Sequence, residues 1–239
     1  LNVPNVFLHI EALVKEIKKE QEISVSVSCQ PLITQNIQLL KNAGVDRIGI
    51  ALDAATEAIF CKVKGVEVGS VYNWSQEFSL LDEALSIFGV GRVSTHLIVG
   101  LGETERDVVC FIQRCVDMGV LPALFAFTPV RGTVLESQPQ PYIVVYRRLQ
   151  LVQYLFVQGV TCLDRVRFDV EGRIVSFGVD RAVLEGIVDS GVPFQTSGCL
   201  DCNRPFYNER PSGPLYNYPR ELSVEEVEEI KRQLGFNMV

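Results

Sequence analysis

Two cysteines near the C-terminus have the spacing of metal ligands. Cys199 and Cys202 form a Cys-x-x-Cys pair within a stretch rich in Gly, Pro, Asn and Arg. A turn of this kind directs both sulfurs to one point, as a zinc ion or an iron–sulfur cluster requires. Because such sites usually take four ligands, the pair predicts an incomplete site. A structural zinc knuckle and two reduced surface thiols are the alternatives.

A second set of polar or glycine-rich positions follows the predicted strands. In parallel α/β folds the carboxyl ends of the strands carry the active site, so residues at these ends are candidate site residues. These candidates are Cys29, Asp53, Gly100, Glu103, Val130 and Arg131.

The elements that must position these residues alternate along the chain. Apolar spacing of 3–4 residues, together with Gly stops, predicts helices over 8–20, 34–43, 74–88, 105–118, 143–158 and 181–190. Period-2 or continuous apolar runs predict strands over 23–28, 47–52, 93–99 and 123–128. This alternation predicts an α/β fold with a parallel sheet and helical crossovers, either open or closed into a barrel.

The pattern changes after residue 160. Two short apolar runs on either side of Gly172 predict a hairpin, and residues 191–222 are rich in loop-forming residues. Ser223 and Glu226 form a capping-box signature, which predicts a final helix to about Leu234.

Composition excludes several classes of protein. The chain has 239 residues, 47% of them apolar, and a net charge of −7, which disfavours binding to nucleic acid. No apolar run reaches the roughly 18–20 residues of a membrane span, and no signal peptide is visible. Seven scattered cysteines favour reduced thiols and a cytoplasmic location over a disulfide framework. Cys110 and Cys115 lie in one predicted helix and are expected in its core.

The segment Ile98-Val-Gly-Leu-Gly-Glu-Thr104 resembles a signature of radical S-adenosylmethionine (SAM) enzymes, and biotin synthase in particular. In that family the fifth barrel strand carries Gly-x-Ile-x-Gly-x-x-Glu. Ile98, Gly100 and Glu103 match it, while His96 stands where the first Gly is expected. Cys29-Gln-Pro-Leu, Ile50-Ala-Leu-Asp53 and Val130-Arg-Gly-Thr133 resemble further strand ends of the family.

This resemblance implies a TIM-type (βα) barrel or partial barrel with a loop-rich C-terminal extension. Its core would be residues 1–190, and the extension would be residues 191–239. The sequence contains no Cys-x-x-x-Cys-x-x-Cys, the motif that binds the family's [4Fe–4S] cluster. We therefore expect that the first two βα units, with the ligands of that cluster, lie upstream of Leu1, and that the chain alone does not cleave SAM.

The resemblance also implies roles at the strand ends. Asp53 would hydrogen-bond the ribose of SAM, and its alternative role is a helix N-cap. Ile98, Gly100 and Glu103 would shape the adenine site, and their alternative is a strand-to-helix turn.

Three further residues, His96, Val130 and Arg131, complete the predicted cofactor-binding set, and Cys29 is a candidate cluster ligand beside it. His96 would contact SAM or substrate, and its alternative is a core histidine. Val130 and Arg131 would lie at the cofactor. Cys29 matches a cluster-ligand position of biotin synthase, and a buried thiol is its alternative.

The tail from Ser197 to Pro211, followed by Tyr216-Asn-Tyr-Pro219, resembles the two-component lipoyl synthases, a biotin-synthase-related group. This resemblance implies insertion of sulfur into an unactivated C–H bond of an octanoyl chain, with Cys199 and Cys202 holding an auxiliary iron–sulfur cluster. The implied partners are an octanoylated carrier protein or lipoyl domain and a homologous radical SAM subunit. Biotin-synthase-like or other radical SAM chemistry is one alternative, and a non-catalytic zinc-binding domain is another.

Overall fold

Strand and helix alternate as the sequence predicts. The computed structural model describes residues 5–197 and 213–236. Its helices are α1 Val6–Glu20, α2 Thr34–Ala43, α3 Glu57–Val63, α4 Trp74–Phe88, α5 Glu105–Met118, α6 Ile143–Val157, α7 Arg181–Asp189 and α8 Val224–Gln233. Its strands are β1 Ser26–Cys29, β2 Arg47–Ile50, β3 Val93–Val99, β4 Leu121–Ala126, β5 Arg167–Phe168 and β6 Ile174–Ser176.

Side chains at the helix starts explain where several helices begin. The Asn73 side chain accepts a hydrogen bond from the Gln76 N–H and caps α4, and Ser223 and Glu226 form the predicted capping box of α8. Thr56 caps α3, a helix that the sequence patterns did not predict, by accepting from the Ile59 N–H. These side chains satisfy N–H groups that the first turn of a helix leaves without intrahelical partners.

Four strands form one sheet in the order β1-β2-β3-β4, and β5 pairs with β6 in an antiparallel hairpin. The pairs β1–β2 and β2–β3 are parallel, and Cys29 at the end of β1 lies opposite Ile50 at the end of β2. Parallel strands need crossover connections, which α2 and the segment holding α3 and α4 provide. The carboxyl ends of β1 and β2 therefore lie side by side.

The chain divides into two compact units. Unit 1 comprises Leu1–Leu97 and Cys115–Ala123, and unit 2 comprises Ile98–Arg114 and Leu124–Val239. Both β3 and β4 contribute residues to each unit. The predicted boundary at residue 190 remains a prediction.

Each unit has an apolar core. In unit 1 the most buried side chains come from the strands and from the inner faces of α2 to α4, and they include Ile37, Leu40, Ile48, Ile50, Phe60 and Leu81. In unit 2 the core includes Ile112, Tyr146, Leu151, Val152 and Phe194. Within the described residues, no helix has both the length and the apolar character needed to cross a membrane.

Candidate functional site

Asp53 lies at the carboxyl end of β2 in a constrained backbone conformation. Its φ of 65° is in the left-handed region, which residues other than Gly rarely adopt. Its N–H donates to the His96 carbonyl oxygen at 2.8 Å, and it forms a parallel bridge with Leu97. Such a conformation costs about 1–3 kcal/mol and persists only where the surroundings impose it. The backbone therefore fixes the direction of the Asp53 side chain.

Lys64 holds the Asp53 carboxylate. The Lys64 ammonium, on a side chain that is 12% exposed, lies 2.7 Å from Asp53 Oδ2. It also donates a hydrogen bond to the Ala51 carbonyl oxygen. The other carboxylate oxygen, Oδ1, accepts no hydrogen bond within the described residues. The helix-cap alternative for Asp53 is wrong, because Thr56 caps the following helix.

Glu77 is a buried acid that interacts electrostatically with both members of this ion pair. Its residue is 1% exposed, and its Oε2 atom has no hydrogen-bond partner within the described chain. Burial raises the pKa of Glu77 to about 7, while the Lys64 ammonium lowers it and the Asp53 carboxylate raises it. Glu77 therefore exchanges a proton near neutral pH.

Cys29 ends β1 as a half-buried thiol. Burial, and then the charge of Glu77, raise the pKa of Cys29 to about 12. A thiol in this environment is what the buried-thiol alternative predicts. The ligand role predicted for Cys29 remains a prediction. No group of three His, Cys, Asp or Glu side chains that could hold a metal is present in residues 5–197 and 213–236.

The side chains of β3 alternate in burial. Thr95 and Leu97 are buried, and the Thr95 hydroxyl oxygen accepts a hydrogen bond from the Leu52 N–H at 3.1 Å. His96 and Ile98 are half-buried on the opposite face of the strand. His96 and Ile98 therefore lie on the same face of β3, and their contact with a cofactor remains a prediction.

Glu103 organises the turn that follows β3. Its Oε1 accepts from the Gly100 N–H at 2.6 Å, and its Oε2 accepts from the Leu101 N–H at 3.0 Å. Burial raises the pKa of Glu103, and these backbone hydrogen bonds oppose the rise. The carboxylate therefore stabilises the turn, as the alternative reading of the motif predicts.

Gly100 is required by its surroundings in the protein. Its φ is 109°, and a Cβ there would lie 2.9 Å from Pro141 Cδ and 3.2 Å from Phe127 Cβ. These neighbours are side chains of unit 2 itself. The close approach at Gly100 is therefore made by protein atoms, and a direct contact with adenine remains a prediction.

The loop after β4 exposes the last two predicted residues. Val130 is 60% exposed, and its carbonyl oxygen accepts from the Thr133 hydroxyl at 2.7 Å. Arg131 is exposed and forms no ion pair within the described parts of the chain. Both are available for a ligand, and their role at a cofactor stays a prediction.

Cys199 and Cys202 lie outside the described residues. On either side of that segment the chain is tied together: the Thr196 N–H donates to the Tyr218 carbonyl oxygen at 2.9 Å, and the Tyr218 N–H donates to Phe194. The buried guanidinium of Arg147 donates to the carbonyl oxygens of Tyr216 at 2.5 Å and Leu215 at 2.6 Å. The two ends of the segment are thus anchored in unit 2.

The other described cysteines do not form a site. Cys115 is buried as predicted, but Cys110 is exposed, so its expected place in the core is wrong. The two residues are five apart in α5 and therefore lie on different faces of the helix.

The sequence patterns missed Lys64 and Glu77. Glu77 shares the buried face of α4 with Leu81, Ala84 and Phe88, at spacings of four, seven and eleven residues. A carboxylate on an otherwise apolar helix face is a signal that the sequence contains. Lys64 follows α3, which was not predicted, so its position had no comparable signal.

No family model matches the chain. It is similar to biotin synthase from Sulfurihydrogenibium sp., with 29% identity over 127 residues, which are 52% of this chain and 35% of that protein. It is similar to GTP 3',8-cyclase from Limosilactobacillus fermentum, with 23% identity over 195 residues, covering 80% of this chain and 53% of that protein. The matched region thus spans about a third to a half of these relatives' lengths.

Among solved structures, the chain is similar to HydG, a maturase of the [FeFe]-hydrogenase. The TM-score is 0.51 at 14% identity, and the match covers 64% of this chain and 36% of HydG. This likeness shows the fold, an α/β architecture of parallel strands and helices consistent with a partial TIM-type barrel. Biotin synthase and GTP 3',8-cyclase are radical SAM enzymes, so these two sequence similarities support the resemblance to that superfamily, whereas HydG supports the fold alone.

Proposed function

We propose that this protein acts in radical SAM chemistry that inserts sulfur into an unactivated C–H bond of an octanoyl chain. The observation that carries the SAM part of the proposal is Asp53, whose carboxylate is fixed at a strand end with one oxygen unengaged. In this family SAM and a [4Fe–4S] cluster together supply a carbon-centred radical. The relatives named above support that general chemistry, and the octanoyl substrate rests on the resemblance of the tail.

The Asp53 carboxylate fits the ribose of SAM. Its Oδ1 can accept from a ribose hydroxyl, while Oδ2 remains bound to Lys64. The ion pair holds the carboxylate in place, and the bond from the Asp53 N–H to the His96 carbonyl oxygen holds the backbone. These residues would bind and orient the nucleoside before any reaction.

The described residues do not fit an iron–sulfur cluster. They contain no group of three metal-ligating side chains. We therefore assign no reaction step at a cluster to the described residues. The auxiliary cluster at Cys199 and Cys202, which would donate the sulfur, is a proposal from the sequence motif.

Binding of SAM tests the role of Asp53. We expect Asp53→Asn to weaken SAM binding in calorimetry about tenfold or more, because a hydrogen bond to a charged acceptor contributes about 1.5–3 kcal/mol. Asp46→Asn is the matched control, since Asp46 also pairs with a lysine, Lys18, at 2.6 Å, but before β2 instead of after it. Equal losses in both variants, or none in Asp53→Asn, would remove Asp53 from the site.

The sulfur chemistry needs a separate experiment. The complete gene product, reconstituted anaerobically with iron and sulfide, is expected to convert an octanoyl-lysine peptide to a thiol-bearing product detected by mass spectrometry. A Cys199→Ala, Cys202→Ala double variant should lose that product and part of its iron. Full iron content with unchanged product in the double variant would refute the auxiliary cluster.

Two other functions have supporting observations. The similarity to biotin synthases favours thioether formation on a different substrate, which the mass of the product would reveal. The Cys-x-x-Cys spacing also suits zinc, and zinc bound without iron, together with no SAM binding, would favour a non-catalytic metal-binding protein.

A further inference from the structure

A cleft in unit 1 brings together the beginnings of three helices. Its volume is about 710 Å³. The first residues of α1, the loop between β1 and α2, the first half of α2 and the residues around the start of α4 form its walls. The side chains that line it include Val6, Leu8, Leu32, Ile33, Asn36 and Gln76. Small-molecule sites commonly have this volume, with an apolar lining and a few polar groups.

The apolar side chains of this cleft are open to solvent. Leu8 and Ile33 are each 52% exposed, and Val71, which also lines the cleft, is 66% exposed. Single exposed apolar side chains are common on protein surfaces, but these three belong to one concave surface. An apolar ligand that fills the cleft would remove their surfaces from water, which favours binding.

The loop between β1 and α2 holds a constrained shape at this cleft. The φ of Leu32 is 58°, in the left-handed region that a bulky residue rarely adopts. The Ile33 N–H donates to the Pro31 carbonyl oxygen at 2.7 Å and closes a tight turn around Leu32. This turn fixes the backbone of two neighbouring lining residues, so that wall of the cleft is formed by the protein itself.

Two amide side chains brace the same loop and use their donors to do so. The Asn36 side-chain N–H donates to the Pro31 carbonyl oxygen at 2.6 Å, and the Gln76 side-chain N–H donates to the Leu32 carbonyl oxygen at 3.0 Å. The side-chain oxygens of Asn36 and Gln76 accept no hydrogen bond within residues 5–197 and 213–236. Both residues therefore offer a ligand an acceptor, which needs an N–H or O–H donor.

The lining of the cleft carries no charge. None of the residues that form it is Asp, Glu, Lys, Arg or His. A charged group in the cleft would lose part of its water without gaining an ionic partner, which is unfavourable. The lining therefore fits a neutral ligand with an apolar body and a hydrogen-bond donor.

We propose that this cleft binds an aliphatic acyl amide, with the chain against Leu8, Ile33 and Val71. The N–H of the ligand donates to the side-chain oxygen of Gln76 or Asn36. An amide supplies the donor that a hydrocarbon or an ester lacks, and it carries no charge. The octanoyl amide named above as a substrate belongs to this ligand class, but the argument from the cleft does not rest on that function. Binding here needs no SAM, iron or sulfide, so it is measured separately from the sulfur chemistry.

Titration of the full chain with octanamide, followed by two-dimensional 1H–15N NMR, tests this site. Octanamide is expected to cause saturable shifts at the backbone amides of Leu8, Ile33 and Val71 and at the side-chain amides of Asn36 and Gln76. Butanamide has four methylenes fewer and should bind at least about tenfold more weakly, because each buried methylene contributes to affinity. Octanoate keeps the chain but adds a charge, and it should also bind at least about tenfold more weakly. No saturable shifts, or equal affinity for either comparison ligand, would overturn the proposal.

A charge placed in the cleft separates this site from a general surface effect. Val71→Asp puts a carboxylate into the uncharged lining and should weaken octanamide binding about tenfold or more. Val66→Asp is the matched control, because Val66 is 72% exposed in the same connection between α3 and α4 but does not line the cleft. It should leave binding unchanged. Unchanged binding in Val71→Asp, or equal weakening in both variants, would count against the site.

Gln76→Met tests the amide acceptor. It keeps nearly the size of the side chain but removes its oxygen, and it should weaken octanamide binding about fivefold, the usual effect of one lost hydrogen bond. Gln38→Met changes an exposed glutamine of α2 that does not line the cleft, and it should leave binding unchanged. Equal affinities of the wild type and Gln76→Met would contradict the donor–acceptor argument. A dimer in sedimentation equilibrium that Val71→Asp dissociates, with no octanamide binding to the wild type, would assign the cleft to a second copy of the chain and overturn the proposal.

Discussion

Glu77→Gln is expected to change how the stability of the protein depends on pH. Glu77 is buried, and one of its oxygens lacks a hydrogen-bond partner within the described residues. Glutamine has nearly the same shape and cannot ionise in the experimental range. The variant therefore removes the cost of burying a charge while changing little of the packing around α4.

The magnitude follows from the pKa of Glu77. Burial raises that pKa from its ordinary value of 4.5 to about 7. Since one pKa unit corresponds to about 1.36 kcal/mol, ionising Glu77 costs the folded state about 3 kcal/mol relative to the unfolded chain. The folded state has the higher pKa, so this contribution to stability is fully present below pH 4.5. It is lost as the pH rises through 7.

Urea unfolding followed by circular dichroism at pH 5, 6, 7 and 8 measures the effect. The free energy of unfolding of the wild type should lose up to about 3 kcal/mol across this range from Glu77 alone. Glu77→Gln should lack that loss, while Asp82→Asn, which removes an exposed carboxylate from the same helix, should keep it. If the wild type and Glu77→Gln follow parallel pH curves, the pKa of Glu77 is not raised and the argument fails.

Three further outcomes follow from other parts of the structure. At pH 8, iodoacetamide should modify the exposed Cys110 at least about tenfold faster than the half-buried Cys29, because burial raises the pKa of Cys29 to about 12 and that of Cys110 less strongly; peptide mass spectrometry would show this, and equal rates would contradict it. Arg148→Met should lower the free energy of unfolding by about 3–5 kcal/mol, because it leaves a carboxylate that is 4% exposed without its ion-pair partner. Gly178→Ala should lower the free energy of unfolding by more than about 2 kcal/mol, since φ is 66° and a Cβ would lie 2.5 Å from a backbone oxygen. Gly186→Ala, in the open interior of α7, should instead raise it by about 0.5–1 kcal/mol. Equal effects of the two substitutions would refute the steric argument.

Elements with a strong local pattern were predictable to the residue. The sequence predicts β3 over 93–99 and α5 over 105–118, and the structure has both with these bounds. Their apolar period is regular, and glycines mark where they end, so local sequence alone decides them. The short helix α3 was missed because its seven residues make less than two helical turns, which is too short for an apolar period to be recognised.

The chemistry of the strand ends was only partly predictable. A residue after a strand, such as Asp53, can be found because parallel topology gathers strand ends at one edge of a sheet. Its partners could not, because Lys64, which follows α3, and Glu77, in α4, lie 11 and 24 positions further along the sequence. Whether a carboxylate is free for a ligand depends on such tertiary partners, which no local pattern encodes.

The two carboxylates that the radical SAM resemblance assigned to the nucleoside have different positions in the structure. Both oxygens of Glu103 accept backbone N–H groups from their own turn, so its removal would change the shape of the turn before it changed any ligand contact. Asp53 uses one oxygen for Lys64 and keeps the other unengaged within the described residues. A motif match at both positions therefore reflects two physical roles, one in the backbone and one open to a ligand. Direct recognition of a nucleoside by a carboxylate of this chain would thus depend on Asp53, with Glu103 acting through the conformation of the Gly100 turn.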